Sequence, residues 1–468
     1  NILDVIIYKF NVSEYLKDVQ SKYGGFCDIH FGSKRFLLVS NSDVAYPINT
    51  SSVAHSYKFL YRDVPDPAMK DLGMEGSGII ANRNLGEWKI NREFFIRIAM
   101  SKKFLKMLTE KSYEKATNMF KLWNILINDK REIDMSKWLE KFTGDIAVST
   151  STGLSAYSML SYFNLLGYEQ NFDYIPSSEW KQSSEIISLI NSFFETVLWF
   201  NYIPSFIRHV PVISYFNKKY ENGIKNLEFL LLELIQRRQH TLYKSLNRSL
   251  NDHEIFGVIR DIFLGSIETV ASSMCSVFYY ICKHPSVKSK ALSEINEIFG
   301  HSIKLDTLYE DLNKLLYCDA LIKEAIRLTP AFPALTRSNS EPVEVGGYLW
   351  KESQAFLLYY QGININKYDW IDGETFDPER FLKHEGSRRS MNAKEANNKK
   401  AFATFGGGAR ACPGKLWGMI ELKVLLVTIL MRYDMEFVNK DQGLDLYYDS
   451  SSHWRELRMR LIPRTPEA

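Results

Sequence analysis

A glycine-rich loop around one cysteine, Phe405–Gly414, constrains this chain more than any other feature. Four of its residues carry no Cβ: Gly406, Gly407, Gly408 and Gly414. The backbone can therefore turn tightly around the Cys412 sulfur and approach a flat ligand closely. Pro413 fits the first turn of the helical pattern that follows, which predicts that Cys412 lies at a helix N-terminus. The dipole and free N–H groups there stabilise the negative sulfur that metal ligation requires, whereas the alternative is a flexible turn with a buried free cysteine.

Length and composition indicate a large helical protein. The chain has 468 residues, and no Pro/Gly/Ser-rich linker divides it, so we expect one large, or two interlocked, helical units. Its 58 basic and 55 acidic residues leave a net charge of +3, which makes nucleic acid an unfavourable partner. Five cysteines without close pairing predict a reduced compartment: Cys27, Cys275, Cys282, Cys318 and Cys412.

The periodicity predicts mainly helices with a minor β region. Near the N-terminus we expect a capped helix over Ser13–Val19 and a hairpin of Cys27–Gly32 with Arg35–Ser40. The part of the chain that follows, up to about Leu250, has a mainly helical sequence pattern. The later predicted elements are a long apolar helix over Asp252–Lys283, helices ending at Phe299 and spanning Tyr317–Leu328, short strands within Pro330–Tyr360, polar coil over Gly362–Ala401, and a helix over Pro413–Tyr433 before a final β segment.

Two further groups of residues carry chemistry. Glu324 and Arg327 share one helix face and can form an ion pair, although most such pairs lie on the surface. In the middle of the long helix, Thr269 can donate a hydrogen bond to the carbonyl of Gly265 and loosen the helical ladder there. The adjacent Glu268 supplies an acid, so this segment can act as a proton relay. An ordinary buried threonine and glutamate are the alternative.

The loop motif Phe-x-x-Gly-x-Arg-x-Cys-x-Gly resembles the haem-binding loop of the cytochrome P450s. It is matched at Phe405, Gly408, Arg410, Cys412 and Gly414. The resemblance implies that Cys412 is the proximal thiolate ligand of a haem b iron, that Arg410 pairs with a haem propionate, and that Phe405 packs beside the ligand loop. A thiolate ligand favours O–O cleavage over reversible oxygen binding.

Other motifs of the same family appear in its order along the chain. Glu324 and Arg327 resemble its Glu-x-x-Arg motif, and Arg380 matches the third member of a network that locks the coil under the haem. Gly265, Glu268 and Thr269 match its oxygen-activation pattern, while Ser266 replaces the second glycine of that pattern and Val270 replaces its final hydroxyl residue. The resemblance implies that Thr269 organises the oxygen ligand and that Glu268 supplies protons. It also implies propionate binding by Trp88 and Arg92, a Trp-x-x-x-Arg element, and by Arg337.

The resemblance covers essentially the whole chain. It implies a mainly α cytochrome P450-like fold with a minor β region, a long central helix over haem, and a single haem-thiolate monooxygenase domain over residues 1–468. The implied reaction inserts one atom of O2 into a hydrophobic small molecule such as a sterol, fatty acid, terpenoid or xenobiotic. The alternatives are a reductase-independent isomerase or dehydratase acting on a peroxide, and a haem-binding sensor or carrier.

The implied partners are an electron donor and a membrane surface. No flavin or nicotinamide motif is present, so we expect an NADPH-dependent flavoprotein reductase to dock on a basic patch of Lys89, Arg92, Lys399, Lys400 and Lys415. The aromatic stretch Val197–Ile207 stands where the family has a substrate-entry lid, and it suits either membrane contact or a buried connection. We expect location on the cytosolic face of the endoplasmic reticulum, through an N-terminal anchor that these residues do not contain.

Overall fold

A computed structural model gives the fold of this chain. It describes residues 11–31, 34–50, 58–59, 61–62, 76–80, 82–153, 155–168, 189, 207, 210–236, 250–382, 400–448 and 451–464. The predicted lid lies outside these residues, apart from Ile207. Within the described part, helices predominate and the strands are short. In chain order the first elements are α1 (Val12–Tyr23), β1 (Phe26–Phe31), β2 (Lys34–Val39), α2 (Ser42–Thr50), α3 (Leu85–Ala99), α4 (Lys102–Asn128), β3 (Ile133–Asp134), α5 (Met135–Thr152), α6 (Ser158–Leu165) and α7 (Pro211–Gln236).

The C-terminal half contains the long helix and most of the strands. Its elements are α8 (Asp252–Lys283), α9 (Pro285–Phe299), α10 (Leu305–Leu312), α11 (Leu316–Leu328), β4 (Leu335–Ser338), β5 (Val343–Val345), β6 (Tyr348–Trp350), β7 (Ala355–Leu358), α12 (Tyr360–Ile365), α13 (Lys415–Arg432), β8 (Tyr433–Phe437), β9 (Leu446–Tyr448), β10 (Ser452–Trp454) and β11 (Arg458–Pro463). These bounds reproduce the predicted long helix at both ends and the other predicted helices and strands to within a few residues. The prediction of coil from Gly362 is wrong at its start, because α12 extends to Ile365, and residues 383–399 of that coil lie outside the described part. The first helix is the main shift, because Asn11 caps it and it extends to Tyr23.

The described residues form two compact units. Unit 1 takes those within Asn1–Asp63, Ser272–Lys415 and Leu422–Ala468, and unit 2 takes those within Val64–Ala271 and Leu416–Glu421. The boundary falls inside α8 and again inside α13. The single catalytic domain expected over residues 1–468 stays a prediction.

Unit 1 is built on a four-stranded sheet in the order β1-β2-β7-β4. β1 and β2 form an antiparallel hairpin, β2 runs parallel to β7, and β7 runs antiparallel to β4. Alternate side chains fill two separate cores, one containing Leu37 and Phe356 and the other containing Leu38 and Leu357. Because strand side chains alternate between faces, the sheet is buried on both sides.

Unit 2 is a helical unit whose interior is rich in aromatic side chains. Trp123 of α4 and Trp138 of α5 are both buried and meet edge to face, with ring centroids 6.0 Å apart. Thr143 of α5 donates a hydrogen bond to the carbonyl of Ile267 in α8 at 2.9 Å. This contact fixes the segment of α8 that carries the predicted proton relay.

The long helix α8 begins and ends at strong local signals. At its start Asn251 and Glu254 form a reciprocal capping pair, with each backbone N–H donating to the other's side chain at 2.9 Å. At its end Pro285 follows His284, where the next helix begins. By length and composition α8 is the one helix in the described part that could cross a membrane, but 67% of its most apolar stretch is buried, as in a core helix.

Candidate active site

The cysteine loop closes on itself through its own backbone. The N–H of Cys412 donates to the carbonyl of Phe405 at 2.8 Å, and the N–H of Gly406 donates to that of Ala403 at 2.7 Å. Gly406 and Gly408 have φ values of +64° and +60°, which side chains with a Cβ rarely adopt. Glycine is therefore favoured at these two turns.

Helix α13 begins later than the sequence predicts. Its first residue is Lys415 and its N-cap is Gly414, so the prediction of Pro413 in the first turn is wrong. Pro413 lies in the turn that leads into the helix, where its fixed φ is equally suitable. A Cβ added at Gly414 would lie 4.0 Å from the Cys412 sulfur, so the sulfur still lies beside the N-cap residue. Negative charge on the sulfur is favoured there.

Cys412 differs from the other cysteines in exposure. None of the five cysteines forms a disulfide, and Cys412 is the exposed one. Burial raises the pKa of the Cys282 thiol to about 12 and raises the pKa of the Cys318 thiol well above its ordinary value. Burial and the nearby Asp28 carboxylate also raise the pKa of Cys27. These three thiols are poor metal ligands because they hold their protons.

The structure brings Glu324, Arg327 and Arg380 together in unit 1. Glu324 and Arg327 are fully buried and form a bidentate pair, with both N–O distances 2.7 Å. The Nε of Arg380 reaches the same carboxylate at 3.2 Å. The N–H of Asp377 donates to it at 2.9 Å. One carboxylate thus joins α11 to the coil before the cysteine loop.

Asn364 and Thr404 connect this network to the loop, and sequence reasoning missed both. The amide of Asn364 donates to the carbonyl of Arg327 at 3.1 Å and to the hydroxyl of Thr404 at 2.9 Å. Its carbonyl oxygen accepts from the N–H of Ala403 at 3.0 Å. Thr404 directly precedes Phe405. No local pattern marks either residue, because their partners lie about 40 or more residues away in the chain.

Arg337 has the unused hydrogen-bonding capacity that a carboxylate ligand needs. Its side chain on β4 is only 1% exposed, and its Nη1 donates to the carbonyl of Thr336 at 3.0 Å. Its Nη2 is buried with no hydrogen-bond partner among the described residues. Because an unsatisfied buried guanidinium is costly, this orphan donor fits a bound carboxylate such as a haem propionate.

Helix α8 has the predicted irregularity at Thr269. Its hydroxyl donates to the carbonyl of Gly265 at 2.5 Å, and a Cβ added at Gly265 would meet nothing within 4 Å. Glu268 is half-buried next to it. Ser266, which replaces the family's second glycine, has a buried hydroxyl without a partner among the described residues. The segment therefore combines an open space, a fixed hydroxyl and an acid in unit 2.

Trp88 and Arg92 lie one turn apart on α3 in unit 2. The Arg92 guanidinium lies 5.7 Å from the centre of the Trp88 ring, within the range of a cation–π contact. Trp88 is 2% exposed, and its indole N–H donates to the carbonyl of Ile79 at 3.2 Å. Arg410 is buried in the short 3-10 turn Gly408–Arg410 of unit 1.

Comparison with known proteins decides the family. The sequence profile described as Cytochrome P450 matches residues 1–463. This chain belongs to the cytochrome P450 family. It is similar to "Cytochrome P450 71B4" of Arabidopsis thaliana, with 24% identity over 443 residues, covering 92% of this chain and 84% of that protein. It is also similar to "Aromatase" of Canis lupus familiaris, with 24% identity over 476 residues, covering 95% and 83%.

A third relative and a solved structure complete the comparison. "Tabersonine 16-hydroxylase 2" of Catharanthus roseus is 23% identical over 449 residues, covering 92% of this chain and 82% of that protein. The structure "Crystal structure of cytochrome P450DA heme domain" aligns with a TM-score of 0.79 at 16% identity, covering 97% of this chain and 93% of that one. The predicted fold class, a mainly α cytochrome P450-like fold with a minor β region, is confirmed.

Family membership also establishes the class of chemistry. The protein is a haem-thiolate monooxygenase with haem b as its cofactor, and the family uses O2, an organic substrate and a redox partner. The residues described above fit this cofactor: an exposed cysteine in a glycine-rich loop, and a buried arginine with a spare donor.

Proposed function

We propose that this enzyme hydroxylates an apolar small molecule, taking electrons from NADPH through a separate flavoprotein reductase. In each turnover a C–H bond becomes C–OH with one oxygen atom of O2. The other atom leaves as water, with two electrons from NADPH and two protons. The observation that carries the proposal is the bond from Thr269 to the Gly265 carbonyl, with open space at Gly265 and Glu268 alongside. A reaction that consumes protons needs such donors.

The chain's own residues take distinct roles in this proposal. Bound haem supplies the iron at which oxygen is reduced and transferred. Cys412 binds the haem as its thiolate ligand within the loop that Phe405, Gly408 and Gly414 shape. The propionates are bound by Arg337, Arg410, Trp88 and Arg92. The buried network of Glu324, Arg327 and Arg380 fixes the coil that precedes the loop.

Thr269 and Glu268 handle protons in this proposal. The Thr269 hydroxyl is held at one position because it is tied to the Gly265 carbonyl. Glu268 passes protons from solvent toward that hydroxyl, for which its half-buried position is suitable. Val270, which replaces the family's last hydroxyl residue, is buried and apolar, so it contributes no second donor.

The test measures how completely electrons reach product. Sterols, fatty acids and terpenoids are first screened for the spectral shift that accompanies substrate binding. With the best ligand and a reconstituted reductase, NADPH consumed, hydrogen peroxide released and product formed are then compared. Thr269→Ala and Glu268→Gln should keep haem but divert NADPH from product to peroxide, because proton delivery is impaired.

A matched control separates this effect from a general loss of helix order. Thr150→Ala removes the same kind of threonine bond, to the carbonyl of Ile146 at 2.6 Å in α5, and should leave coupling unchanged. Unchanged coupling in both Thr269→Ala and Glu268→Gln would refute the proton roles. Turnover of a hydroperoxide without reductase would establish the isomerase or dehydratase alternative instead.

The partner surfaces belong to the same proposal. Lys415 is exposed and its ammonium lies 5.2 Å from the Phe405 ring, which supports docking of an acidic reductase near the cysteine loop. Lys399 lies outside the described residues. We place the protein on the cytosolic face of the endoplasmic reticulum with a lid that contacts the membrane. Fractionation of cells that express the full-length protein tests the location.

A further inference from the structure

Two neighbouring charged residues of α8 form hydrogen bonds with a tight turn at residues 76–80. Arg260 and Asp261 are only 2% and 4% exposed. Asp261 Oδ2 accepts from the N–H groups of Ile79 and Ile80 at 2.6 and 2.7 Å. Its Oδ1 accepts from Nε and Nη2 of Arg260 at 3.0 and 2.9 Å, and Arg260 Nη1 reaches the Ser77 hydroxyl at 3.3 Å. Each oxygen of the Asp261 carboxylate therefore accepts two hydrogen bonds.

Glycines on both sides permit this close approach. Gly78 has a φ of +77°, and a Cβ there would lie 2.3 Å from Asp261 Oδ2. A Cβ on Gly257 of α8 would lie 2.5 Å from the Gly78 nitrogen. A side chain at Gly257 would displace the backbone of the turn, and one at Gly78 would displace the Asp261 carboxylate, so this contact requires glycine on both sides.

The turn at residues 76–80 also accepts hydrogen bonds from two side chains of α3. The indole N–H of Trp88 donates to the carbonyl of Ile79, and Asn91 Nδ2 donates to the carbonyl of Gly78 at 3.3 Å. The Ile79 carbonyl and the Ile80 N–H belong to one planar peptide group and point in opposite directions. By fixing that N–H, Asp261 fixes the acceptor of the Trp88 indole. Bonds in such a chain also polarise one another.

We propose that Asp261, with Arg260, is a positioning residue that sets the orientation of Trp88 and so slows the loss of haem. The proposal rests on the proposed function, in which Trp88 and Arg92 bind a haem propionate. Asp261 itself touches neither haem nor substrate in this role. The same helix carries Glu268 and Thr269, seven and eight residues further on, so one rigid element serves both the proton donors and the haem-binding helix.

The test is a double-mutant cycle read as the rate of haem transfer from the ferric holoenzyme to excess apomyoglobin. Asp261→Asn leaves one oxygen for the four donors that the carboxylate binds and puts an NH2 group in place of the other oxygen, and we expect haem loss roughly tenfold faster. Trp88→Phe removes the indole donor and should also speed haem loss. In the Trp88→Phe variant, adding Asp261→Asn should raise the rate of haem loss by less than about twofold, because the effect of Asp261 depends on the Trp88 indole.

Three further measurements make the outcome specific. Asp434→Asn, which breaks an ion pair with Lys288 in unit 1, should leave haem loss unchanged. In an Arg337→Lys variant, adding Asp261→Asn should raise the rate of haem loss by the same factor as it does in wild type. Amide hydrogen exchange of the peptide containing Ile79 and Ile80 should rise in Asp261→Asn. Since Asp261→Asn leaves Arg260 buried without its carboxylate, Arg260→Met/Asp261→Asn is run in parallel and carries the test if the single variant is insoluble.

The possible failures are distinguishable. If Trp88→Phe alone leaves haem loss unchanged, the assignment of Trp88 in the proposed function is wrong. If Trp88→Phe speeds haem loss but Asp261→Asn does not, the positioning role is refuted. It is also refuted if Asp261→Asn speeds haem loss as strongly in the Trp88→Phe variant as in wild type. Haem loss that rises only in proportion to a lowered thermal unfolding temperature would likewise refute it.

Discussion

Glu421 in unit 2 is a buried carboxyl whose charge state should control stability between about pH 5 and pH 8. It is 1% exposed in the second turn of α13, and one of its oxygens accepts from the indole N–H of Trp417. Its Oε2 is buried with no partner among the described residues. Burial raises the pKa of Glu421 from 4.5 to about 8, and the Trp417 hydrogen bond offsets this only in part.

The direction in which stability changes with pH follows from proton binding. Between pH 4.5 and about 8 the folded protein holds the Glu421 proton while the unfolded chain has lost it. Folding therefore takes up a proton, and the free energy of unfolding falls as pH rises through this window. At about 1.4 kcal/mol for each pKa unit, the loss approaches 5 kcal/mol by pH 8.

The change to test is Glu421→Gln. Glutamine keeps an oxygen acceptor for Trp417 and never ionises. Near pH 5 both proteins carry a neutral group there, so their stabilities should be similar. Toward pH 8 the variant should become more stable than wild type by about 3 to 5 kcal/mol. Urea unfolding followed by tryptophan fluorescence, at each half unit of pH, measures the difference.

Two observations complete this prediction. Wild type should show the infrared band of a protonated buried carboxylic acid at pH 7, and Glu421→Gln should lack it. The control Glu297→Gln changes an exposed carboxylate of α9 and should give a stability difference that is flat with pH. A flat difference for Glu421→Gln would refute the argument, because Glu421 would then be ionised in the folded protein.

Three other changes test the proposed site. Cys412→Ser should abolish the long-wavelength absorption of the ferrous–CO complex, which is recorded beside Cys318→Ser; a variant that keeps the band would make another cysteine the ligand. Glu324→Ala leaves two guanidinium groups without their carboxylate and should cost about 3 to 5 kcal/mol, seen as lost soluble holoprotein, whereas the exposed control Glu114→Ala should change stability by less than about 1 kcal/mol. Replacing Trp199, Phe200, Tyr202 and Phe206 with serine should weaken binding to liposomes, and unchanged partitioning would favour a packed connection.

Sequence reasoning succeeded where the determining contacts are local. The bounds of α8 follow from Asn251 and Glu254 at one end and Pro285 at the other, all within a turn of the helix ends. The bond from Thr269 to Gly265 spans four residues and depends only on helix geometry. Such features need no knowledge of the rest of the chain.

Contacts between distant segments were not predictable in this way. Asp261 binds N–H groups more than 180 residues earlier in the chain, and backbone N–H groups carry no sequence signal. Asn364 is likewise one polar residue in a polar stretch until the fold brings Arg327 and Thr404 beside it. The start of α13 differs from the prediction for another reason, since proline fits both the first turn of a helix and the turn just before it.

The buried network of Glu324, Arg327 and Arg380 satisfies backbone groups as well as its own charges. The coil that follows α12 has few regular backbone partners, so its carbonyls need donors. Arg327 donates to the carbonyls of Asn364 and Gly373 at 2.6 Å, and Arg380 donates to that of Asp372 at 2.9 Å. Apolar residues of similar size often replace a buried ion pair without loss of stability.

That exchange should fail in this protein. An apolar side chain in place of Arg327 would leave the buried carbonyls of Asn364 and Gly373 unpaired, each at a cost of about 1 to 3 kcal/mol. It would also remove the bond from the Arg327 guanidinium to the backbone carbonyl of Asn364, the residue whose side chain binds Ala403 and Thr404 just before Phe405. The charges therefore persist in the core because guanidinium groups offer several donors from one side chain, and a coil that must hold a cysteine loop in place needs those donors.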